Sequence, residues 1–133
     1  MGRLTEWVAT ARRAVATLGE LAGKTTLTVV ERDALLQRFE YSVEAVWKAV
    51  QLYLREGEGL EVGSPKAAAR ASLQTRLLDE AQSRAALLMI EDRNLTVHTY
   101  EEALAEQIAA RIPRHAVLLW SWIESVAARP DYD

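Results

Sequence analysis

The chain has 133 residues, of which 50% are hydrophobic and 26% charged, a composition typical of one compact globular domain. No apolar run approaches the roughly 18 residues of a membrane span, and the absence of cysteine excludes disulfides, thiolate nucleophiles and cysteine zinc sites. The net charge of −3 gives no overall field that would attract nucleic acid, so any RNA contact depends on a local basic patch. We expect a single cytoplasmic domain over residues 1–133, with a polar tail from about residue 129 and no membrane segment.

Apolar residues recur at three- and four-residue steps through most of the chain and predict four amphipathic helical segments. The first extends from Leu4 to Leu18. The second begins at a capping box formed by Thr28 and Glu31 and ends near Gly57.

The third segment is predicted to begin where Ser64 and Pro65 supply an N-cap and a first-turn proline. It continues to about residue 90, with a bend expected at 77–79. No stretch alternates with period two, so the four segments have to cover one another's apolar stripes. The fold predicted from this pattern is all-α, an antiparallel four-helix bundle.

The last segment is predicted to begin at a second capping box, formed by Thr99 and Glu102. Pro113 is expected to kink or divide this helix. Farther along, Trp120 and Trp122 cannot both face one core, so one of them is expected at an interface.

The connection before the last helix, EDRNLTVHTY at 91–100, interrupts the helical pattern because Asn and β-branched residues are poor in helix interiors. It contains Arg93, Asn94, His98 and Tyr100 in the arrangement Arg-x4-His-x-Tyr. An Arg-x4-His pair alone carries little information. The added tyrosine, one of only four in the chain, makes the pattern more specific.

These residue types suit RNA cleavage by the 2'-hydroxyl, which needs a base, an acid and a cation beside the phosphorane but no metal. His98 can act as base or acid, and Arg93 can hold a phosphate through two parallel hydrogen bonds. A two-fold dimer would supply the second histidine that such a reaction needs, so a homodimer is expected. On a regular helix Arg93 and His98 would lie about 140° apart, so a turn or a partner chain has to bring them together.

The same residues also have simpler interpretations. As a helix-entry residue His98 would bond a nearby glutamate or a backbone group. Arg93 would pair with Glu91 or Asp92, and Tyr100 would be a surface or interface aromatic.

Other polar positions carry less information. His115 lacks a partner pattern and is predicted to have a structural or solvent role. Two isolated histidines do not make a ligand set, so no metal or cofactor is expected. A basic stripe on the third segment suits RNA or an acidic partner, although a solvated face is the simpler interpretation. Its residues are Lys66, Arg70, Arg76 and Arg84.

Three blocks of the chain resemble the HEPN superfamily of small helical proteins, in particular the nucleotidyltransferase substrate-binding proteins that include HepT-like toxins. They are RFEYSVEAVWKAVQLYL at 38–54, SPKAAARASLQTRLLDE at 64–80 and EDRNLTVHTYEEALAEQIAARIP at 91–113. The first two are mostly bundle packing, and the last is the specific one. Together the three blocks span most of the chain.

The resemblance implies a homodimeric four-helix bundle that partners a minimal nucleotidyltransferase encoded nearby. In toxic members the Arg-x4-His motif is the ribonuclease centre, and the nucleotidyltransferase silences it by adding AMP to the tyrosine two places after the histidine. For this chain the resemblance implies that Arg93 and His98 are catalytic, with Asn94 at the polar position after the arginine and Tyr100 as the AMP acceptor. The alternative is a non-catalytic bundle that binds the nucleotidyltransferase and presents a substrate to it.

Overall fold

The computed structural model describes residues 2–129, and this part of the chain contains helices and no strand. The α-helices are α1 (Gly2–Ala22), α2 (Val29–Glu58), α3 (Pro65–Gln74), α4 (Glu80–Leu95) and α5 (Glu102–Ala127). A 3-10 turn, Thr96–His98, follows α4 directly. The predicted all-α bundle is confirmed, although the third predicted segment consists of two helices. Residues 130–133 of the predicted polar tail lie outside the described residues.

The start of α2 is the predicted capping box. The Thr28 hydroxyl accepts a hydrogen bond from the Glu31 amide at 3.1 Å, and the Glu31 carboxylate accepts one from the Thr28 amide at 2.9 Å. The helix ends at Glu58, one residue beyond the predicted end, and is capped by Gly59, which adopts a left-handed conformation (φ 69°) and whose N–H bonds the Leu54 carbonyl. Both ends of α2 are therefore set by local sequence signals.

A complete break separates α3 from α4. The Ser64 hydroxyl caps α3 as predicted, and Arg76, just after the helix, has a positive φ of 64° that an α-helix cannot contain. Asp79 and Gln82 then form a capping box that starts α4. Where a bend was expected, one helix therefore ends and another begins, because the left-handed backbone conformation of Arg76 cannot continue an α-helix.

The core lies between α1, α2 and α5, and the α3–α4 pair packs on α2 and α5. Trp122 is fully buried and donates to the Ser72 hydroxyl at 2.9 Å, whereas Trp120 is 45% exposed. The prediction that these two tryptophans do not share one core is confirmed. The largest buried side chains also include Tyr53, Phe39, Leu18, Leu35, Leu54, Met89, Ile108, Ile112, Leu119 and Ile123.

The start of α5 differs from the prediction. The capping box of Thr99 and Glu102 is wrong: the N-cap is Glu101, without a side-chain cap bond. The Thr99 hydroxyl donates to the Thr96 carbonyl at 2.9 Å, and Glu102 binds the buried Arg32 on α2. Thr99 closes the 3-10 turn and Glu102 forms a long-range ion pair. Neither side chain is therefore available to cap α5.

Pro113 does not divide α5, which continues unbroken from Glu102 to Ala127. The proline lies on the exposed surface of the helix. Water can therefore bond the carbonyl that its missing N–H leaves unpaired. Within residues 2–129, none of the helices combines the length and the apolar character required to cross a bilayer.

Candidate functional site

The motif lies farther into helical structure than predicted. Residues 91–95 form the end of α4, so Arg93 and Asn94 are helical, and only residues 96–101 leave the α-helix. Burial of Ile90 and Asp92 against the bundle outweighs the weak helix propensity of the segment. The expected loop is therefore confined to the 3-10 turn and the three residues after it.

This geometry separates Arg93 from His98 within one chain. Two α-helical steps followed by three 3-10 steps place the two residues roughly 160° apart around the local axis. No hydrogen bond or ring contact joins them in the described part of the chain. The predicted turn therefore does not bring the pair together, and a partner chain remains as the expected route.

Arg93 is half-buried, and its side chain makes no hydrogen bond or ion pair with any residue between 2 and 129. The alternative pairing with a neighbouring acid does not occur. Glu91 pairs with Lys66 at 3.4 Å, and Asp92 pairs with Arg111 at 2.7 Å. The guanidinium of Arg93 is consequently available to an external anion.

His98 and Tyr100 are brought together by the end of the 3-10 turn. The Nδ1 atom of His98 lies 3.3 Å from Oη of Tyr100, and the two rings meet edge to face with centroids 6.0 Å apart. Both side chains are exposed, Tyr100 to 79%. The imidazole thus pairs with the tyrosine rather than with a glutamate. Asn94 is exposed on α4 and has no side-chain bond to the other described residues.

Thr96 anchors the turn to α2. Its buried hydroxyl lies 2.6 Å from the Glu40 carboxylate and 2.6 Å from the Arg93 carbonyl. One hydroxyl proton can serve only one of these acceptors at a time. Sequence reasoning missed Glu40, since it lies 56 residues from Thr96 and no spacing pattern joins them.

Asp92, next to Arg93, anchors the end of α4 to α5. Its carboxylate accepts two hydrogen bonds from Arg111, from Nε at 2.8 Å and Nη2 at 2.7 Å, and lies 2.8 Å from Nε2 of His115. Asp92 and His115 are buried, and the imidazole stacks on Phe39 with centroids 5.3 Å apart. The prediction of a structural role for His115 agrees with this packing. The missed signal was the i, i+4 spacing of Arg111 and His115 on one helix face.

The charge states of this cluster follow from its surroundings. Burial would raise the pKa of Asp92, but the hydrogen bonds from Arg111 and His115 outweigh it and lower the pKa below its usual value. Burial lowers the pKa of His115 by more than its bond to Asp92 raises it. At neutral pH Asp92 is therefore a carboxylate, and a neutral His115 donates to it from Nε2.

An apolar groove of about 630 Å³ runs between α4 and α5 beside this cluster. Two aliphatic side chains on its walls are largely exposed, Leu88 to 63% and Val117 to 69%. Glu91 lies on the α4 side of the groove and Arg114 on the α5 side. Exposed aliphatic residues with charges at the rim are typical of a protein interaction surface.

The four basic residues of the predicted stripe do not form a continuous free surface. Lys66 pairs with Glu91, and Arg84 pairs with Glu80 at 2.9 Å, which leaves Arg70 and Arg76 exposed. Among the described residues no group of three or more His, Cys, Asp or Glu side chains is arranged to hold a metal ion.

The described residues have a HEPN-like helical bundle fold. The same fold occurs in a tri-AMPylated Shewanella oneidensis HEPN toxin in complex with MNT antitoxin, at 17% identity over 95% of this chain and 97% of the other, with a TM-score of 0.77. A toxin–antitoxin MntA–HpeT complex contains it at 16% identity over 97% and 100%, with a TM-score of 0.80. A Thermus thermophilus protein of known crystal structure is 50% identical over 90% of this chain and 99% of its own, with a TM-score of 0.85.

The family follows from the sequence match over residues 7–126 to the family described as nucleotidyltransferase substrate binding protein like. The chain belongs to that family. No curated protein matches it significantly.

Proposed function

We propose that this protein is the HEPN-type partner of a minimal nucleotidyltransferase and acts, as a homodimer, as a metal-independent endoribonuclease toxin that AMP addition to Tyr100 neutralises. The observation that supports this most is the exposed pair of His98 and Tyr100, with Nδ1 and Oη 3.3 Å apart. One helical turn earlier, Arg93 has no ion pair to any residue in 2–129. Family membership and the toxin–antitoxin names of the fold's neighbours support the same function.

In the proposed reaction His98 takes the proton of an RNA 2'-hydroxyl, and the oxygen attacks the adjacent phosphorus. The bond from phosphorus to the 5'-oxygen breaks as His98 of the partner subunit donates a proton to that oxygen. The products are a 2',3'-cyclic phosphate and a 5'-hydroxyl. Arg93 donates hydrogen bonds to the non-bridging oxygens, where negative charge accumulates in the phosphorane.

The second copy completes the site, because each chain supplies one candidate histidine and, within residues 2–129, no hydrogen bond joins that histidine to its own Arg93. We propose that the copy docks on the α4–α5 groove. A two-fold axis there would cover Leu88 and Val117 of both chains. It would also bring Glu91 of one chain toward the basic Arg114 side of the other, so the surface is self-complementary in charge.

Modification at Tyr100 would block this site directly. Tyr100 Oη would attack the α-phosphorus of ATP, pyrophosphate would leave, and the phenolic proton would pass to solvent. The new phosphodiester and its adenosine would then lie against the His98 ring, because Oη is within hydrogen-bond distance of Nδ1. The bulk of the adenosine and the negative charge of the phosphodiester would keep an RNA phosphate away from the His98 ring.

A second candidate is a non-catalytic subunit that binds the nucleotidyltransferase and presents a substrate to it. The family description favours it, since it refers to substrate binding. In this case the exposed Tyr100 and the groove would contact the nucleotidyltransferase, and Arg93 and His98 would not take part in any RNA cleavage.

RNA cleavage by the chain alone, in the presence of EDTA, separates the two candidates. We expect cleavage by the wild type and its loss in Arg93→Ala and His98→Ala, by about 100-fold or more. Arg84→Ala is the matched control, since Arg84 is an exposed arginine of the same helix. Equal cleavage by all four proteins, or none by the wild type, would remove the nuclease function and leave the substrate-binding one.

A further inference from the structure

The placement of Asp92 is unusual for a residue that only stabilises a helix. It lies in the last turn of α4, where the helix dipole disfavours a negative charge. It is also buried, and a buried ion pair often stabilises a fold no more than apolar packing of the same volume would. A contribution to stability therefore does not explain why a carboxylate lies here. Its directional hydrogen bonds, in contrast, can fix the orientation of the helix end.

Those hydrogen bonds fix the orientation of the end of α4. The Nε and Nη2 atoms of Arg111 bind the two oxygens of Asp92 separately, which defines both the distance and the plane of the pair. His115 holds the same carboxylate from one turn farther along α5 and is itself held by its stack on Phe39. Rotation of the last turn of α4 would break all three bonds.

Arg93 is the next residue, about 100° farther around α4, so its direction follows from that of Asp92. The Arg93 side chain itself has no partner among residues 2–129 that would hold it. The other end of the motif is tied to α2 by Thr96 and Glu40 at 2.6 Å. The catalytic segment is thus anchored just before Arg93 and two residues before His98.

We propose that Asp92, Arg111 and His115 form a positioning network that orients the last turn of α4 so that Arg93 meets the RNA phosphate. This inference rests on the proposed ribonuclease function. Asp92 acts through the backbone it shares with Arg93, and Arg111 and His115 act through Asp92. None of the three touches the reacting atoms.

The conservative variants Arg111→Lys and Asp92→Asn test the network. Lysine retains the charge but cannot bind both oxygens in a fork, and asparagine retains the size but loses one acceptor. We expect kcat to fall on the order of 10- to 100-fold, as small misplacements of a catalytic group do, with little change in KM. Arg84→Lys, on the exposed face of α4, is the control and should leave kcat unchanged.

A double-mutant cycle separates positioning from general destabilisation. In an Arg93→Ala background, Arg111→Lys and Asp92→Asn should cause no further loss of kcat, because the group they position is gone. Their effect on unfolding should persist in that background. Losses that multiply with that of Arg93→Ala, or single variants with wild-type kcat, would overturn the network. The mass of each variant in solution shows whether the dimer is retained.

A spectroscopic measurement keeps the inference testable if the wild type does not cleave RNA. The amide resonances of residues 93–98 and the Nε–Hε resonance of Arg93 report the orientation of this turn by NMR. We expect Arg111→Lys to shift and broaden them while core resonances on α1 stay in place. Unchanged resonances in this segment would contradict the positioning role, whereas absent cleavage alone would contradict the ribonuclease function.

Discussion

Tyr100 presents its hydroxyl to His98 at 3.3 Å while 79% of its surface stays open to solvent. One atom is thus both reachable by a modifying enzyme and adjacent to the candidate proton carrier. We therefore expect Tyr100 to be the residue that accepts AMP.

Incubation with ATP and the minimal nucleotidyltransferase proposed as its partner should add at least one AMP mass to the wild type, and Tyr100→Phe should abolish the addition at this site. Tyr41→Phe is a suitable control, because Tyr41 is also partly exposed but bonds Thr17 on the neighbouring helix. Intact-mass spectrometry measures the number of AMP groups added to each protein, and peptide mapping identifies the residue that carries them. Addition that persists unchanged in Tyr100→Phe would place the acceptor elsewhere.

If the α4–α5 groove is the dimer interface, as proposed above, a charge placed in it should weaken the dimer. Val117→Glu would place a carboxylate from each subunit in an apolar interface, and we expect the dissociation constant to rise at least about tenfold, or roughly 1.4 kcal/mol. Val117 is 69% exposed in the single chain, so the fold should tolerate the change. Sedimentation velocity over a range of concentrations measures the association.

Val30→Glu is the matched control for that experiment, since Val30 is 78% exposed on α2 and does not line the groove. It should leave the association unchanged. The groove assignment would be wrong if both variants weakened the dimer equally, or if Val117→Glu did not weaken it.

The buried imidazole of His115 predicts a pH dependence of stability. Burial lowers the pKa of His115 below the ordinary value of 6.5, so the unfolded chain binds this proton more readily than the native one. The stabilisation is therefore fully present above about pH 6.5 and is lost as the pH falls from there toward the native pKa. The pKa of Asp92 is lowered from 3.8, so this carboxylate stays ionised throughout that range.

His115→Gln retains an N–H donor for Asp92 but removes the titration. Denaturant midpoints at about pH 5.5 and about pH 7.5 should differ more in the wild type than in this variant, with the lower midpoint at the lower pH. A wild type and a variant with the same pH dependence would contradict the assignment.

Core packing gives a prediction on stability alone. Ile108 is fully buried, and Ile108→Ala should lower the free energy of unfolding by about 2–5 kcal/mol through lost burial and a residual cavity. Val29, at the start of α2, is 61% exposed, and Val29→Ala should change the free energy of unfolding by less than about 0.5 kcal/mol. Chemical denaturation monitored by circular dichroism compares the two, and similar effects would be inconsistent with this core.

Local patterns were sufficient for much of the fold. Apolar periodicity located the helices, and the side chains at Thr28 and Ser64 marked two helix starts because a cap is a contact within four residues. The division of α3 from α4 was underestimated, since the left-handed conformation falls on Arg76, a residue that rarely adopts it. Thr99 was misassigned because its hydroxyl closes the preceding turn.

The candidate site was only partly predictable for a related reason. Arg93, His98 and Tyr100 lie within eight residues and could be recognised as a motif. Their supports, Glu40 on α2 and Arg111 on α5, are far away in sequence, and their contacts depend on how whole helices pack. Packing also extended α4 through residues whose intrinsic preference favours a loop.

Because α4 passes into the 3-10 turn without intervening coil, Arg93 and His98 belong to one stiff stretch of backbone. No coil lies between them in which an inhibitor could change the direction of Arg93 relative to His98 of the same chain. The proposed AMP addition to the adjacent Tyr100 suits this architecture, since it would block the site without changing the backbone that joins Arg93 to His98.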